Sequence, residues 1–406
     1  MEAALSHKIS GADKFQLLLD RHIRLNQSTG NIIQLNIEVK GRIELEELRK
    51  IVSANSFLTQ LNSLKVTDKS LSIPRWINGE EQNPVSVTEF PDYANNDPEG
   101  LISIVLFQDE PNSEVFIFVH HVLADNIGIQ QIAGLINGTI KPPLLPFAEE
   151  GKDTTPFIQQ LIHTLKATLL VFKKTPKRMA KLVADEVKTN TNIIDFEEEE
   201  TQQIEENAAK NGARLSRSAF YLAAVSMALK QTIFEGNGDS FFLPVPQNQR
   251  LRGNDQVAMG NHISFLFYTI PFNKLNNLSE ATAFITAQMV EQIKNQSPKS
   301  YSYLLKTFRF LPLWLYDFFF KMPTKGAVCS FLFSDVGETL PGMKTFMGKE
   351  IVEVLNLPPN PSPPHLTFVM MKHAGRLKLI MTYNSKAISE DEKSKFGAAL
   401  RTLLTK

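Results

Sequence analysis

Two adjacent histidines, His120 and His121, close the apolar run Phe116-Ile117-Phe118-Val119, and a carboxylate, Asp125, follows four residues after the second. A neutral imidazole near pH 7 is suited to take the proton that an alcohol or amine loses as it attacks an acyl centre. Asn126 comes next, and Ile127 to Ile136 then has helical spacing, with Ile129, Ile132, Ala133 and Ile136 apolar. The histidines therefore sit where a buried strand gives way to a loop and a helix. The strand fixes the side chain and the loop leaves room for a substrate. Taken alone, such a pair reads equally as a base for chemistry or as a strand-end surface or metal-adjacent histidine.

The full motif, His-His-x-x-x-Asp-Asn, resembles the HHxxxDG motif of the chloramphenicol acetyltransferase-like superfamily. That group includes CoA-dependent acyltransferases, the condensation domains of peptide synthetases and bacterial wax ester synthases. The resemblance implies that His121 is the general base and His120 a packing or orienting neighbour. It implies that Asp125 is structural, holding the loop through an arginine. Asn126 departs from the glycine of the motif; if positive φ is needed there, asparagine is the next most tolerant residue.

A second segment, Phe241 to Arg250 followed by Gly260-Asn261-His262, resembles the "PVNxR … GN" strand and loop beside the active-site channel of the superfamily. Arg250 matches its arginine. A buried carboxylate beside a catalytic imidazole needs a counter-charge, so Arg250 is the expected partner of Asp125; the plainer reading makes Arg250 and Arg252 ordinary loop charges. Asn261 is expected to support or line the channel, and His262 is either a third active-site histidine or a structural one. A third segment, Val328 to Gly337 with Pro341-Gly342 and Gly348 beyond, resembles the "SNxxG…G" segment of wax ester synthase and diacylglycerol acyltransferase-like members. Here Asp335 replaces the asparagine. Ser334 is the candidate oxyanion donor or channel residue, or else a turn serine.

Composition bounds the rest. The 406 residues are enough for two lobes. Formal net charge is zero, with 43 basic and 43 acidic residues, which argues against nucleic acid as a partner. Cys329 is the single cysteine, so no internal disulfide forms, a reducing compartment fits, and a Cys/His zinc cluster is excluded; no metal site is expected. Met1 to Arg21 lacks a secretory pattern and no apolar run is long enough to span a bilayer. These readings suit a cytoplasmic monomer, with peripheral membrane contact left open. No glycine-rich phosphate loop follows a strand, and no G-x-S-x-G elbow is present.

The elements that must position these residues follow in order. Ser10 or Asp13 caps a first helix to about Asn26; Ile32 to Lys40 alternates as a strand; Ile43 to Asn55 is an amphipathic helix. Leu71 to Ile77 and Val85 to Phe90 read as strands, and Leu101 to His121 as a hairpin. Lys141 to Pro156 is a linker. Phe157 to Val187 is a long helix with Leu161, Leu165, Leu169 and Phe172 on one face. Its other face carries Lys166, Lys173, Lys174, Lys177, Arg178 and Lys181. That basic cluster either visits anionic membrane or a CoA phosphate, or is a solvated face of a crossover helix, the simpler reading. Asp195 is expected to cap the next helix, which Gly212 ends; Ser216 starts a buried one. Two strands around Arg250 and a helix from Leu278 to Asn295 follow. The aromatic stretch Tyr303 to Met322, broken by Pro312, lines a lipid tunnel, dips into a membrane or packs between lobes. A hairpin around Ala374-Gly375-Arg376 precedes a last helix capped by Ser389 and Glu392.

The resemblance implies an α/β (α+β) fold of two similar lobes, each a mixed sheet flanked by helices, with an active-site tunnel between them. Residues 1–150 form the N-terminal lobe, 151–190 a linker and crossover helix, and 191–406 the C-terminal lobe. It further implies an acyltransferase with no bound cofactor, using acyl-CoA or a phosphopantetheine thioester on a carrier protein supplied in trans. The acceptor is a small, fairly hydrophobic alcohol, and no covalent acyl-enzyme forms. An amide-forming condensation enzyme and a catalytically silent binding member are the alternatives.

Overall fold

The computed structural model describes residues 6–24, 30–67, 72–79, 82–89, 100–143, 145–147, 155–173, 189–213, 216–234, 238–250, 257–321, 329–359 and 364–406. In chain order the elements are β1 (Ser6–Lys8), α1 (Gly11–Arg24), β2 (Ile32–Lys40), α2 (Leu45–Ala54), α3 (Ser56–Asn62), β3 (Leu64–Thr67), β4 (Arg75–Asn78), β5 (Ser86–Glu89), β6 (Ile102–Asp109), β7 (Asn112–His120) and α4 (Asn126–Ile136). There follow α5 (Phe157–Lys173), β8 (Thr189–Phe196), α6 (Glu198–Lys210), α7 (Arg217–Thr232), β9 (Ser240–Asn248), β10 (Ile263–Pro271), α8 (Leu278–Lys294), α9 (Ser297–Phe308) and α10 (Leu313–Lys321). Then come β11 (Leu332–Glu338), β12 (Thr345–Phe346), β13 (Lys349–Leu357), β14 (Leu366–His373), β15 (Arg376–Asn384) and α11 (Glu390–Thr405).

Two mixed sheets organise two lobes. The first runs β12-β13-β2-β7-β6-β5 and the second β11-β14-β15-β8, each with one parallel edge pair, β5 on β6 and β11 on β14. Each lobe has its own apolar core: Leu35, Ile37, Ile117, Val119 and Ile132 among others in the first, and Phe196, Phe220, Phe331, Phe368 and Phe396 in the second. Strand β2 shows the expected alternation, burying Ile33, Leu35, Ile37 and Val39. The second lobe buries α7 almost all round, as its continuous apolar sequence requires.

The sheets do not respect the order of the chain. Strand β13 comes from the C-terminal half, yet it pairs antiparallel with β2 of the first sheet, Val354 opposite Ile37. Its preceding turn, Met347-Gly348, takes positive φ at both residues, the geometry that a two-residue hairpin with right-handed twist needs. Val369, Met371 and Ile380 of β14 and β15 also join the core of the first lobe.

Several local expectations change. Asp195 does not cap α6; it lies in β8, opposite Lys378 on β15, where its carboxylate meets Arg376 and Lys378. The cap is Glu197, whose N–H donates to Glu200 in a capping box. The expected helix from Ile43 shortens to α2, and α3 follows it, capped by Asn55. The aromatic stretch after Tyr303 divides into α9 and α10 around Pro312. The long helix is described as α5, and residues 174–187, with four of the six basic positions, lie outside the described residues, as does Arg252. On α5, the face carrying Leu161, Leu165 and Leu169 is exposed at those residues. Among the described residues, no helix is long and apolar enough to cross a membrane, and no group of three or more His, Cys, Asp or Glu side chains is placed to hold a metal ion.

Candidate active site

Strand β7 ends at His120, which faces Ile32 of β2 in the ladder, and the next residue begins the turn. This break sends the two histidines opposite ways. His120 turns to α1: its Nδ1 accepts the Val122 N–H at 3.2 Å, and its Nε2 lies 3.2 Å from Asp20 Oδ1. A ring nitrogen that accepts carries no proton, so Nε2 bears it and donates to Asp20. Burial works to raise the Asp20 pKa, but the hydrogen bond from His120, the Asn31 N–H and the Arg24 charge hold it down to about 2. Asn31 passes the constraint on, since its carbonyl accepts the His121 N–H at 2.8 Å.

His121 turns into a cavity between the lobes. Its Nδ1 lies 3.0 Å from the Ala124 carbonyl. A carbonyl can only accept, so Nδ1 holds the proton and Nε2 presents its lone pair. Among the described residues, Nε2 has no hydrogen-bond partner. Burial lowers the His121 pKa, outweighing the two backbone carbonyls and the Asp125 charge that favour protonation. The imidazole is therefore neutral at pH 7 with its basic nitrogen free.

Asp125 is the N-cap of α4. Its Oδ1 accepts from the N–H groups of Ile127 and Gly128, both at 3.1 Å. Its Oδ2 accepts from Arg250 Nη1 at 2.5 Å and from the His262 N–H at 3.1 Å. The structure thus brings Asp125 and Arg250 together from opposite lobes. Because Asp125 is the cap, Asn126 is the first residue of the helix and has no positive φ, so the glycine-like backbone tolerance is not called on there. What Asn126 adds over glycine is a side chain: its Oδ1 accepts from Asn356 Nδ2 on β13.

Asn261 is buried and sits behind the loop. Its Nδ2 donates to the His121 carbonyl at 2.7 Å and to Asp13 Oδ1 at 3.0 Å, and its N–H donates to the same oxygen at 2.7 Å. It braces the histidine and does not line the cavity, contrary to the channel-lining expectation. Gly260 before it takes φ +92° and donates its N–H to Leu123 at 2.7 Å, which needs glycine's backbone freedom. His262 lies outside the cavity too, with Nε2 turned to the Met259 carbonyl. The residue that sequence reasoning missed is Asp13. Its reciprocal bonds with Ser10 are the cap that the sequence shows, but its Oδ1 anchors Asn261 across 248 positions, which no local pattern reveals. Burial raises its pKa against these bonds.

The cavity holds about 390 Å³. His121, Asn126, Arg250, Asn356, Ser334 and Asp335 are among its polar spots, while Phe15 and Leu19 of α1, Phe265 and Phe267 of β10, and Phe308 and Tyr316 of α9 and α10 form apolar wall. Ser334 shares the cavity with His121, on the parallel pair of β11 with β14. Burial pushes the Asp335 carboxyl up to about 6, against the Gly337 N–H, the Arg217 charge and the Ser218 hydroxyl. Cys329 is buried, lies off the cavity, and burial raises its thiol pKa, so it offers no nucleophile there. A fixed neutral imidazole facing a largely apolar space can deprotonate an acceptor held against an acyl donor.

No protein-family model matches the sequence, and no curated protein matches it in sequence. Solved structures do match along the whole chain. The trichothecene 15-O-acetyltransferase of Fusarium sporotrichioides superposes with TM-score 0.72 at 14% identity, covering 99% of this chain and 96% of its own. Polyketide synthase associated protein 5 of Mycobacterium tuberculosis gives 0.67 at 14%, covering 99% and 98%. The first condensation domain of the calcium-dependent antibiotic synthetase gives 0.68 at 13%, covering 99% and 96%. At these identities the likeness establishes the fold, the two-lobe chloramphenicol acetyltransferase-like and condensation-domain architecture that the histidine motif implied.

Proposed function

We propose that this chain is an acyltransferase that moves an acyl group from a thioester, of CoA or of a carrier protein, to the hydroxyl of a fairly hydrophobic acceptor. The observation that carries the reading is His121: a neutral ring with Nδ1 bound to Ala124 and Nε2 open to the cavity. Acetyl transfer and condensation are also the activities named for two of the structural neighbours.

In the proposed reaction Nε2 takes the acceptor O–H proton as the oxygen bonds to the thioester carbonyl carbon. The tetrahedral intermediate carries an oxyanion, for which Ser334 Oγ is the candidate donor. Collapse of the intermediate breaks the C–S bond. The leaving thiolate takes the proton from the imidazolium, so the products are an ester and a free thiol, and His121 returns to its neutral state. No acyl-enzyme forms in this reading, since among the described residues no hydroxyl or thiol is paired with this base.

The test is release of free thiol from acyl-CoAs of graded chain length, with alcohols and amines offered as acceptors, for the wild type and His121→Ala. Alcohol-dependent release that collapses in the variant, with the fold intact, supports the reading. Release only with amines replaces it by amide formation, and release only from an acyl-carrier protein fixes the donor. Absence of release with every donor and acceptor overturns the enzyme reading in favour of a silent binding member.

A further inference from the structure

Helix α5 leaves its apolar side in solvent. Phe157, Leu161 and Leu165 recur every fourth residue, as do Ile158 and Ile162, and these five are 58–77% exposed. Soluble monomers do not ordinarily leave a contiguous apolar surface of this kind uncovered. Helix α10 repeats the feature with Trp314 at 63% and Phe318 at 57% exposure. Charge is distributed to match. Residues 154–184 contain six basic and no acidic residues, and residues 297–321 three basic residues besides Arg309, which is buried on the Ile9 carbonyl, and one acidic, in a chain whose formal net charge is zero. Both excesses fall in the sequence that carries the exposed apolar side chains. Apolar side chains with a tryptophan, embedded in a cationic segment, match an interface of acyl chains beneath anionic headgroups. A protein partner of the same area would need acidic groups set around an apolar centre, and nothing here selects for that pattern over a lipid surface.

The same helices form wall of the active-site cavity. Thr168 of α5, Leu304 and Phe308 of α9, and Tyr316 and Phe319 of α10 all line it. The exposed side chains and the cavity thus share one three-helix layer. We propose that α5 and α10 dock the protein on an anionic lipid surface. Resting on the acyltransferase reading above, we further propose that the acceptor is an amphiphilic, membrane-partitioned alcohol that reaches the cavity beneath these helices.

The test is co-sedimentation of the full chain with vesicles of phosphatidylcholine alone or mixed with phosphatidylglycerol. The wild type should bind the mixed vesicles, bind the neutral ones less, and lose binding as salt rises. The double variant Leu161→Glu, Leu165→Glu, at exposed positions off the cavity, should weaken binding at least tenfold. It should leave its melting temperature, and thiol release with a short water-soluble alcohol, unchanged. No binding to either vesicle overturns the docking proposal. So does concentration-dependent dimerisation of the wild type that the double variant abolishes, which would make a second copy the occupant. Vesicle binding without thiol release retains the docking and removes the enzymatic reading, so the two failures are distinguishable. Docking with unaltered preference between vesicle-borne and soluble alcohols overturns the acceptor class alone.

Discussion

The two sides of the cavity are built on opposite principles. On the histidine side, polar groups are tied down in chains: Asp20 to His120, Asn31 to His121, Asp13 to Asn261 to His121, and Arg250 to Asp125. On the facing side, α9, α10 and β10 offer aromatic and aliphatic surface, and the half-buried carboxylate of Asp335 is poorly compensated. A side chain that must hold one orientation needs several hydrogen bonds, because each alone is worth only about 1 kcal/mol net. A surface that receives a greasy chain needs shape and no fixed partner. Under the proposed function, the first side sets the chemistry and the second the selection.

The sharpest way to break the contrast is to remove the base. His121→Ala should lower kcat by about 10²–10⁴-fold while leaving the thermal melt near that of the wild type; activity that survives would move the chemistry elsewhere. The companion measurement is the pH profile of kcat/KM. Burial lowers the His121 pKa, so the acidic limb, where the base becomes protonated, should fall below the ordinary histidine range. A limb at or above that range contradicts a desolvated base.

Next in size is the brace itself. Arg250→Leu leaves the Asp125 carboxylate buried without its cation, which should cost about 3–5 kcal/mol in urea denaturation. Adding Asp125→Asn to that variant should restore part of the loss; additive losses would show that the two residues are not coupled.

The facing side should respond with the opposite sign. Asp335 has a folded pKa of about 6, above its unfolded value of 3.8. The folded state therefore binds more protons between these values, and its stability contribution, full below the unfolded pKa, is lost as pH rises through the folded one. Asp335→Asn should raise stability by about 2 kcal/mol at pH 7.5 and by almost nothing near pH 3.5, read from urea midpoints. Equal effects at both pH values would rule out this cause. The smallest effect is expected from the wall: Phe308→Ala should shift preference among acyl-chain or acceptor lengths by roughly tenfold, with little change for the smallest substrates.

Much of the first side was legible because its signals are local or motif-borne. The strand ending in His120-His121, the helix after Asp125, the Ser10–Asp13 cap and the Ser389–Glu392 box all read from neighbouring residues. The Asp125–Arg250 contact came from matching two segments to one family pattern, and the structure places the two side chains together. What stayed hidden depends on pairing across distance. Asp195 follows a polar, β-compatible stretch and precedes four glutamates, so a cap was the natural local reading; only the ladder with β15 makes it a strand residue. Asn126 was judged by the glycine it replaces, whereas its conformation is set by Asp125 before it and its contact by Asn356 far beyond it. Strand β13 has strand-like residues, but nothing near it in sequence says that its partner is β2.

That pairing gives the protein a history during its own synthesis. When the first 150 residues have left the ribosome, β2 still lacks the neighbour on its outer edge, and the histidine loop lacks Arg250, Asn261 and Asn356. An open strand edge is a template for wrong partners, and nascent chains are most exposed to them while a sheet waits for a distant strand. The histidine loop can therefore reach its final arrangement only after residue 357 has emerged, so a nascent chain arrested before that point would carry the histidine motif without the arrangement around it.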